Sequence, residues 1–411
     1  MKTQRSSVRK LDQLIDIEKL YYEYEASKAI PDNGNINPTI IDHLRKEFIT
    51  QSKQLKKEKS TISDMLNILY KTDPSLQEEI DNRDFRREDK YLISKKNNVQ
   101  IIDSIEKAIE SLSKNSLTKL DDQNDRSYYF RGHEDADYRS VPSIMRTKEY
   151  YINEDQLYYE LQTISPKNFS HSKKHLEILT EMQHFSLPTR LLDISSNPLS
   201  ALFFATNNTD PNSVNKDGEI IVFSAHKKAI KNFSSDTVEI QNSLAFLPYD
   251  LKSEIYALAK KFKDKKPKYE RIIEFNQSDH VKKLIHEARK SGLYFSNVLD
   301  PSDLFEFMIC LPLKNNDRIM NQSGAFISYG FTSSEAFKSE IENEHDRYER
   351  RLDQKFGFKT EKQPVQFIIP YSNKEHIRNQ LDEFGINQGN IYPDIEKRAA
   401  YIKEKYLKLD S

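Results

Sequence analysis

The sequence has no tryptophan, a single cysteine among its 411 residues, and no excess of either charge. One thiol excludes an internal disulfide framework and a multi-cysteine zinc site. Lys and Arg total 63 against 64 Asp and Glu, so the net charge of −1 gives no general attraction to nucleic acid. No stretch approaches the roughly 18 consecutive apolar residues of a membrane span. The absence of an apolar leader segment, with the single cysteine, predicts a cytoplasmic protein.

What the sequence does have is aromatic residues, with 22 Tyr and 22 Phe. Aromatic side chains bury more area than most, and disordered chains are poor in them. The composition therefore predicts a folded protein. The one cysteine, Cys310, lies in the apolar run Phe307–Leu311, which predicts a buried thiol rather than a nucleophile.

The periodicity of apolar residues predicts two regions. Residues 1–95 are expected to form a charged helical region, either a partner-binding appendage or a cap on the main core. Residues 96–410 are expected to form the main domain, with a helical, lysine-rich insertion at about 226–300. Helices are predicted over 154–164, 174–184 and 335–355, and strands over 128–132, 218–223, 305–311, 324–329 and 365–369. The fold class predicted is α+β, a mixed and largely antiparallel sheet flanked by helices.

Three blocks of the main region resemble the FRG family. The first reads Phe130-Arg131-Gly132-His133 and continues to Val141–Arg146. The second runs from Met182 to Asp193 and on through Asn197-Pro198 to Ala205. The third carries Arg318, Gln322, Gly324 and Phe326, and Phe384–Asn387 with Tyr392-Pro393-Asp394 closes the likeness, which covers roughly residues 98–405.

Two positions depart from the family pattern, which usually has a glycine where Ser186 stands and a tryptophan where Ile194 stands. The resemblance implies a domain found mostly in bacteria and their mobile elements, often without an assigned activity. It predicts a protein of a bacterium or phage, with a role as a toxin or antiviral-defence effector.

Arginines in the first block are candidate ligands of a phosphate group. Arg131 follows a Tyr-Tyr-Phe strand and precedes Gly132, and a guanidinium there can bind a phosphate or carboxylate through two parallel hydrogen bonds. Arg146 is a candidate second cation. The structural alternative is an Arg131–Asp193 ion pair that joins two loops.

The second and third blocks are dense in polar side chains that precede the apolar segment Leu199–Ala205. A helix in that segment would present its positive end to an anion. His184 titrates near neutrality and is a candidate proton carrier, or alternatively a helix cap. Arg190 is a candidate for ligand binding, or alternatively a partner of Asp193 in an ion pair. Further candidates for binding or catalysis are Gln183, Thr189, Ser195, Arg318 and Gln322.

The order of these residues is also similar to ADP-ribosyltransferase-type folds. That resemblance implies an arginine on the phosphates or ribose of NAD, a hydroxyl residue at the nicotinamide pocket, and a late glutamate. The corresponding residues are Arg131, Thr189 or Ser195, and Gln322. Since glutamine carries no negative charge, either Asp193 takes that part or the site binds without transfer. An ADP-ribosyltransferase or NAD glycohydrolase activity is therefore an open alternative, with NAD as the first ligand to try.

The sequence lacks the common motifs of metal, nucleotide-binding and serine-hydrolase sites. The sequence contains no H-E-x-x-H, P-loop, G-x-G-x-x-G or G-x-S-x-G, so no metal or resident cofactor is expected. The leading hypothesis is a protein that binds or acts on a phosphate-containing small molecule or nucleotide, with His184, Asp193 and Gln322 as catalytic candidates. The alternative is a non-catalytic module in which the basic segment 259–266 contacts nucleic acid or the N-terminal helices contact a protein. No membrane partner is expected.

Overall fold

The computed structural model describes residues 99–121, 125–170, 172, 174–207, 209, 215–265, 267–292, 298–314, 317–331, 341–360 and 363–407. The chain divides into two units, Met1–Val99 and Gln100–Ser411. The predicted helical region 1–95 lies outside the described residues. The predicted boundary near residue 95 and the insertion at 226–300 stay predictions.

Ten strands occur in the described part of the chain: β1 Val99–Ile101, β2 Arg126–His133, β3 Leu192–Ser195, β4 Gly218–His226, β5 Ile230–Asn232, β6 Phe307–Leu311, β7 Gly324–Tyr329, β8 Lys359–Thr360, β9 Gln363–Pro364 and β10 Gln366–Ile369. Eight of them form one sheet in the order β1-β10-β4-β2-β3-β7-β6-β5, and β8 pairs with β9. Within the large sheet the β10–β4, β4–β2, β2–β3, β3–β7 and β7–β6 pairs are antiparallel. The edge pair β5–β6 is parallel.

Sixteen α-helices flank the sheet within these same described ranges: α1 Ile105–Leu112, α2 Lys114–Asp121, α3 Lys148–Ile152, α4 Glu154–Ile164, α5 Pro166–Phe169, α6 His175–His184, α7 Pro198–Ala205, α8 Asp236–Ser243, α9 Tyr249–Phe262, α10 Lys268–Asn276, α11 Asp279–Arg289, α12 Asp317–Asn321, α13 Ile341–Phe356, α14 Tyr371–Glu383, α15 Gln388–Ile391 and α16 Ile395–Leu407. The prediction of an α+β fold with a largely antiparallel sheet is confirmed.

The sheet is buried on both faces, as the alternation of β2 shows. Tyr128 and Phe130 pack with α1, α7 and α14, whereas Tyr129 packs with α13 and Ile194 on the other face. Successive side chains of a strand point to opposite faces, so a run of three aromatic residues can fill two cores at once. Strand β2 is therefore held by hydrophobic packing on both of its faces.

Helix α7 lies directly on the backbone of β2 and β4. A Cβ atom on Gly132 would lie 1.9 Å from the carbonyl oxygen of Ala201, and one on Gly218 would lie 2.2 Å from that of Ala205. Such separations are far inside van der Waals contact, so only glycine fits at either position. The space beside Gly132 is thus occupied by a helix of the same chain rather than by a ligand.

The lysine-rich region has a hydrophobic core of its own. Side chains from α9, α10 and α11 pack with the segment around Phe305 and with Phe331. The short strand β5 precedes these helices and extends the main sheet. Cys310 on β6 is fully buried, and burial raises the pKa of its thiol to about 12. The expectation of a buried cysteine is confirmed.

Candidate functional site

Strands β2 and β3 diverge after a single register pair, Phe130 with Ser195. Arg131 bridges the gap that opens beyond this pair. Its Nη1 donates to the backbone carbonyl of Asp193 at 2.7 Å, and its Nε donates to Nε2 of His133 at 3.0 Å. The same Nη1 lies 4.0 Å from a carboxylate oxygen of Asp193. The guanidinium therefore takes the place of a strand partner for that carbonyl, and β2 and β3 hold it in position.

The carboxylate of Asp193 is oriented by a short relay from the end of α6. Thr189 donates from Oγ1 to Oε1 of Gln183 at 2.6 Å, and Gln183 donates from Nε2 to Oδ2 of Asp193 at 2.5 Å. Thr189 is fully buried, whereas the side chain of Asp193 is 57 % exposed. Because the hydroxyl fixes the amide and the amide fixes one carboxylate oxygen, the other oxygen is presented to solvent in a defined direction.

His133 lies on β2 two residues after Arg131 and is buried. Burial lowers the pKa of its imidazole well below the ordinary value, and the charges of Arg131 and Arg146 lower this pKa further. The ring is therefore neutral near pH 7. Since Nε2 accepts the Arg131 hydrogen bond, the hydrogen-bond pattern assigns the ring proton to Nδ1.

The guanidinium side chain of Arg146 is exposed and makes no hydrogen bond or ion pair with the described residues. Its charge nevertheless interacts with Asp193 and with His133. We call Arg131, His133, Arg146 and Asp193 the open cluster. With the histidine neutral, the open cluster carries two cations and one anion, so it has an excess of positive charge.

Arg190, for which an ion pair with Asp193 was one of two predictions, lies elsewhere, in the interior with 1 % of its surface exposed. Its Nε and Nη2 donate to the two carboxylate oxygens of Glu154 on α4 at 3.0 and 2.5 Å, and Lys252 on α9 donates to the same carboxylate at 2.9 Å. Glu154, Arg190 and Lys252 form what we call the buried triad. Burial opposes the charge of Glu154, but Arg190 and Lys252 outweigh it and lower the pKa of this carboxyl. The predicted Arg190–Asp193 pair is therefore not formed.

His184, Arg318 and Gln322 form a second group with the C-terminal segment. Nδ1 of His184 lies 3.8 Å from the carboxylate of Glu181, and Nε2 lies 3.1 Å from that of Asp394; the two carboxylates raise the pKa of His184. Arg318 donates to the backbone carbonyl of His184 at 3.2 Å. The amide of Gln322 donates to the carbonyl of Ile391 at 3.3 Å.

Ser195 and Tyr392 connect this second group to β3. The hydroxyl of Ser195 donates to the backbone carbonyl of Gln322 at 2.6 Å and accepts from the backbone of Asn197, so it is used by the fold. Burial raises the pKa of the Tyr392 phenol, and the charges of both Arg318 and Asp193 act on this pKa. The predicted site residues thus divide into two groups. One group surrounds Asp193 and contains Arg131, Arg146, Gln183 and Thr189. The other contains His184, Arg318 and Gln322, of which His184 and Gln322 contact the segment 391–394 and Arg318 contacts His184.

The N-terminus of α7, predicted as an anion site, is capped within the chain. The side chain of Asn197 accepts a hydrogen bond from the backbone N–H of Leu199 at 3.0 Å. This cap satisfies one of the free N–H groups of the first turn. Within the described ranges no three His, Cys, Asp or Glu side chains are placed to hold a metal ion. None of the helices in those ranges is long and apolar enough to span a membrane.

Residues 126–213, from the start of β2 to just beyond α7, match the model of the FRG domain. This chain carries an FRG domain. The matched segment contains every member of the open cluster together with Gln183 and Thr189. No curated protein and no solved structure matches the chain significantly.

The structure gives a physical reason for several residues of the FRG pattern. The phenylalanine fills the core beneath α7, the arginine bridges β2 to β3, and the glycine admits the backbone of α7. Ser186, where the family usually has glycine, has a φ of +63°. That left-handed conformation is unfavourable for a residue with a Cβ by roughly 1 kcal/mol. Ile194, where the family usually has tryptophan, is buried against β7 and β2.

Three residues of the open cluster and the buried triad were not predicted from the sequence. His133 could have been predicted, because side chains alternate along a strand and it is the next residue on the same face of β2 as Arg131. Glu154 and Lys252 carried no such signal, since they lie 36 and 62 residues from Arg190 along the chain and meet it only through the packing of α4 and α9.

Proposed function

We propose that the FRG domain binds a phosphate-containing ligand at the open cluster, with NAD as the first compound to test. The observation that carries the proposal is Arg146, an exposed guanidinium without a described partner, next to Arg131 and with a single carboxylate close by. A phosphate accepts strong, charge-assisted hydrogen bonds from guanidinium groups. It would also offset the excess positive charge of the cluster.

Each side chain of the open cluster has a distinct part in this proposal. Arg146 and Arg131 bind phosphate oxygens, and His133 supports the Arg131 guanidinium through its neutral Nε2. The solvent-facing oxygen of Asp193 accepts a hydrogen bond from a ligand hydroxyl, such as that of a ribose. Gln183 and Thr189 keep that carboxylate in place. A nucleotide supplies both groups, a phosphate and a ribose.

Whether the ligand is also transformed depends on Asp193. In the ADP-ribosyltransferase or NAD glycohydrolase alternative, its carboxylate would stabilise the positive charge that develops on the ribose when nicotinamide leaves. Gln322 cannot do this, since its amide is neutral and donates to Ile391. His184 lies beside Asp394, so any part in proton transfer would run through that pair.

The test compares three ligands by calorimetry: NAD, ADP-ribose and nicotinamide riboside, which has no phosphate group and lacks the adenosine. We expect NAD and ADP-ribose to bind and nicotinamide riboside to bind at least about tenfold more weakly. Release of nicotinamide from NAD, with Asp193→Asn as the matched variant, distinguishes turnover from binding. Absence of binding by both phosphate-containing ligands would reject the proposal.

The alternative of a nucleic-acid-binding module has less support. Lys265 pairs with Glu274 at 2.6 Å, and Lys263 lies 3.8 Å from Asp264, so part of the basic segment 259–266 is neutralised by its own neighbours. A role as a toxin or antiviral-defence effector of a bacterium or phage rests on the family resemblance. Expression in a bacterial host measures it, and growth equal to that of an Asp193→Asn strain would count against it.

A further inference from the structure

Helix α16 exposes a stripe of apolar side chains on the FRG-containing unit. Ile395 is 72 %, Ile402 53 % and Tyr406 66 % exposed, and Ala399 between them is exposed as well. The other side of the helix faces its own domain, where Tyr401 donates to Asp382 at 2.6 Å and Arg398 donates to the carbonyl of Gly389 at 3.2 Å. The stripe is therefore presented outward by a helix that is itself anchored.

The spacing of the stripe is that of a coiled-coil seam. The positions 395, 399, 402 and 406 are separated by four, three and four residues, which is the alternation of the two core positions of a heptad. A solvated surface helix has no need for this spacing, since its apolar stripe faces the core. The pattern on the outer side of α16 is thus typical of a helix that packs on another helix.

The stripe is also complementary to itself in the antiparallel direction. When two copies of α16 run in opposite directions about a two-fold axis between residues 400 and 401, Ile395 lies opposite Tyr406 and Ala399 lies opposite Ile402. The small alanine then receives the larger isoleucine, as interdigitating layers require. A two-fold axis repeats each contact, so one helix supplies four layers to the interface.

The charges beside the stripe fit the same arrangement. In an antiparallel pair, Glu396 of one copy faces Lys403 of the other, and the two-fold axis forms this opposite-charge contact twice. Neither residue has an ion-pair partner among the described residues. On the other flank Arg398 would face Lys405, which are like charges, but Arg398 already donates to Gly389 of its own domain.

We propose that α16 is a homodimerisation helix that pairs antiparallel with α16 of a second copy of this chain. The helix has 13 residues and is roughly 20 Å long, so the contact is small. Interfaces below about 1,200 Å² of total buried area are characteristic of weak association. The dimer should therefore dissociate in the micromolar range.

Sedimentation velocity of the full chain over a concentration series tests the association. We expect a monomer–dimer equilibrium that Ile402→Glu weakens at least about tenfold. The matched control is Ile164→Glu, since Ile164 at the end of α4 is 70 % exposed and lies outside the stripe. A monomer at all concentrations, including one in which the stripe is covered within the same chain, would overturn the proposal. A dimer that Ile402→Glu leaves unchanged would overturn it too.

Charge reversal and cross-linking test the antiparallel register. Glu396→Lys should weaken the dimer, and adding Lys403→Glu should restore it, because only the two-fold antiparallel pair joins these positions. Mixed Ala399→Cys and Ile402→Cys chains should form disulfide-linked heterodimers, and each variant alone should not. Cys310 is buried and does not compete. Cross-linking of like with like would indicate a parallel pair and contradict the register.

Discussion

The open cluster and the buried triad each place two cationic side chains around one carboxylate, but their charges are balanced differently. In the buried triad, both oxygens of Glu154 are occupied by Arg190 and Lys252, and all three side chains are at most 3 % exposed. In the open cluster, the one half-exposed carboxylate lies 4.0 Å from Arg131 and makes no ion pair with Arg146, so the Arg146 guanidinium has no partner among the described residues. Arg190 and Asp193 lie only three residues apart in the sequence. A buried arginine whose hydrogen bonds are made within the protein stabilises the fold, whereas an exposed arginine in a positively charged cluster is suited to binding an anionic ligand.

The largest expected effect comes from breaking the buried triad with Arg190→Ala. Removing one partner leaves a buried charge with too few opposite charges, so we expect unfolding free energy to fall by on the order of 3–5 kcal/mol. Urea denaturation measures this loss. The matched variant Arg146→Ala removes an exposed arginine and should change stability by less than about 0.5 kcal/mol. Equal losses in both variants would remove the distinction between the two regions.

Gly132→Ala should disrupt the support of the open cluster and leave the buried triad intact. The new Cβ would lie 1.9 Å from the Ala201 carbonyl, so α7 must move away from β2. Forced overpacking of this kind costs about 1–3 kcal/mol or more. The control is Gly324→Ala, whose Cβ would meet Ile319 at an ordinary 3.6 Å. Thermal unfolding compares them, and equal tolerance of the two alanines would show that α7 is not held so closely.

The pKa of His133 reports the excess positive charge of the open cluster. Arg146→Gln removes one of the charges that lower this pKa, so the pKa should rise towards the ordinary value. Titration of the ring resonances by NMR measures the change, with His184, whose pKa is set by Glu181 and Asp394, as the internal control. An unchanged His133 would mean that Arg146 does not act on the cluster.

The low pKa of His133 makes the free energy of unfolding depend on pH. The pKa of His133 in the folded state lies below its value of about 6.5 in an unfolded chain. The unfolded chain therefore takes up the proton first as the pH falls. The contribution of His133 to stability is present above about pH 6.5 and is lost as the pH falls below it. His133→Gln should flatten that part of the stability curve.

The sequence predicted the elements with strong periodicity better than the short ones. Residues 154–164 and 324–329 were predicted as a helix and a strand with the bounds of α4 and β7. The strand predicted at 305–311 begins only at Phe307, because Pro301–Phe305 form a short 3-10 helix. Strand β5 was missed, since the three residues Ile230–Asn232 are too few to show an alternation and pair only with β6 at the edge of the sheet.

The same limit applies to the candidate site. An Arg131–Asp193 ion pair was predicted as one of two alternatives for Arg131, and Nη1 of Arg131 lies 4.0 Å from the Asp193 carboxylate, although both residues lie within strands rather than in loops. The partner of Arg190 was not predicted, because the ion pair depends on how α4 packs across the start of β3, and no spacing in the sequence encodes that. Residue type identifies a candidate, but burial and the neighbouring charges determine its part.

Calorimetric titration of ADP-ribose into the wild type, Arg146→Gln and Lys282→Gln measures whether the open cluster binds phosphate, since each variant loses one exposed positive charge. We expect Arg146→Gln to bind at least about tenfold more weakly than the wild type, and Lys282→Gln on α11 to bind as the wild type does. Equal affinity of all three proteins would contradict the assignment of the open cluster as a phosphate site.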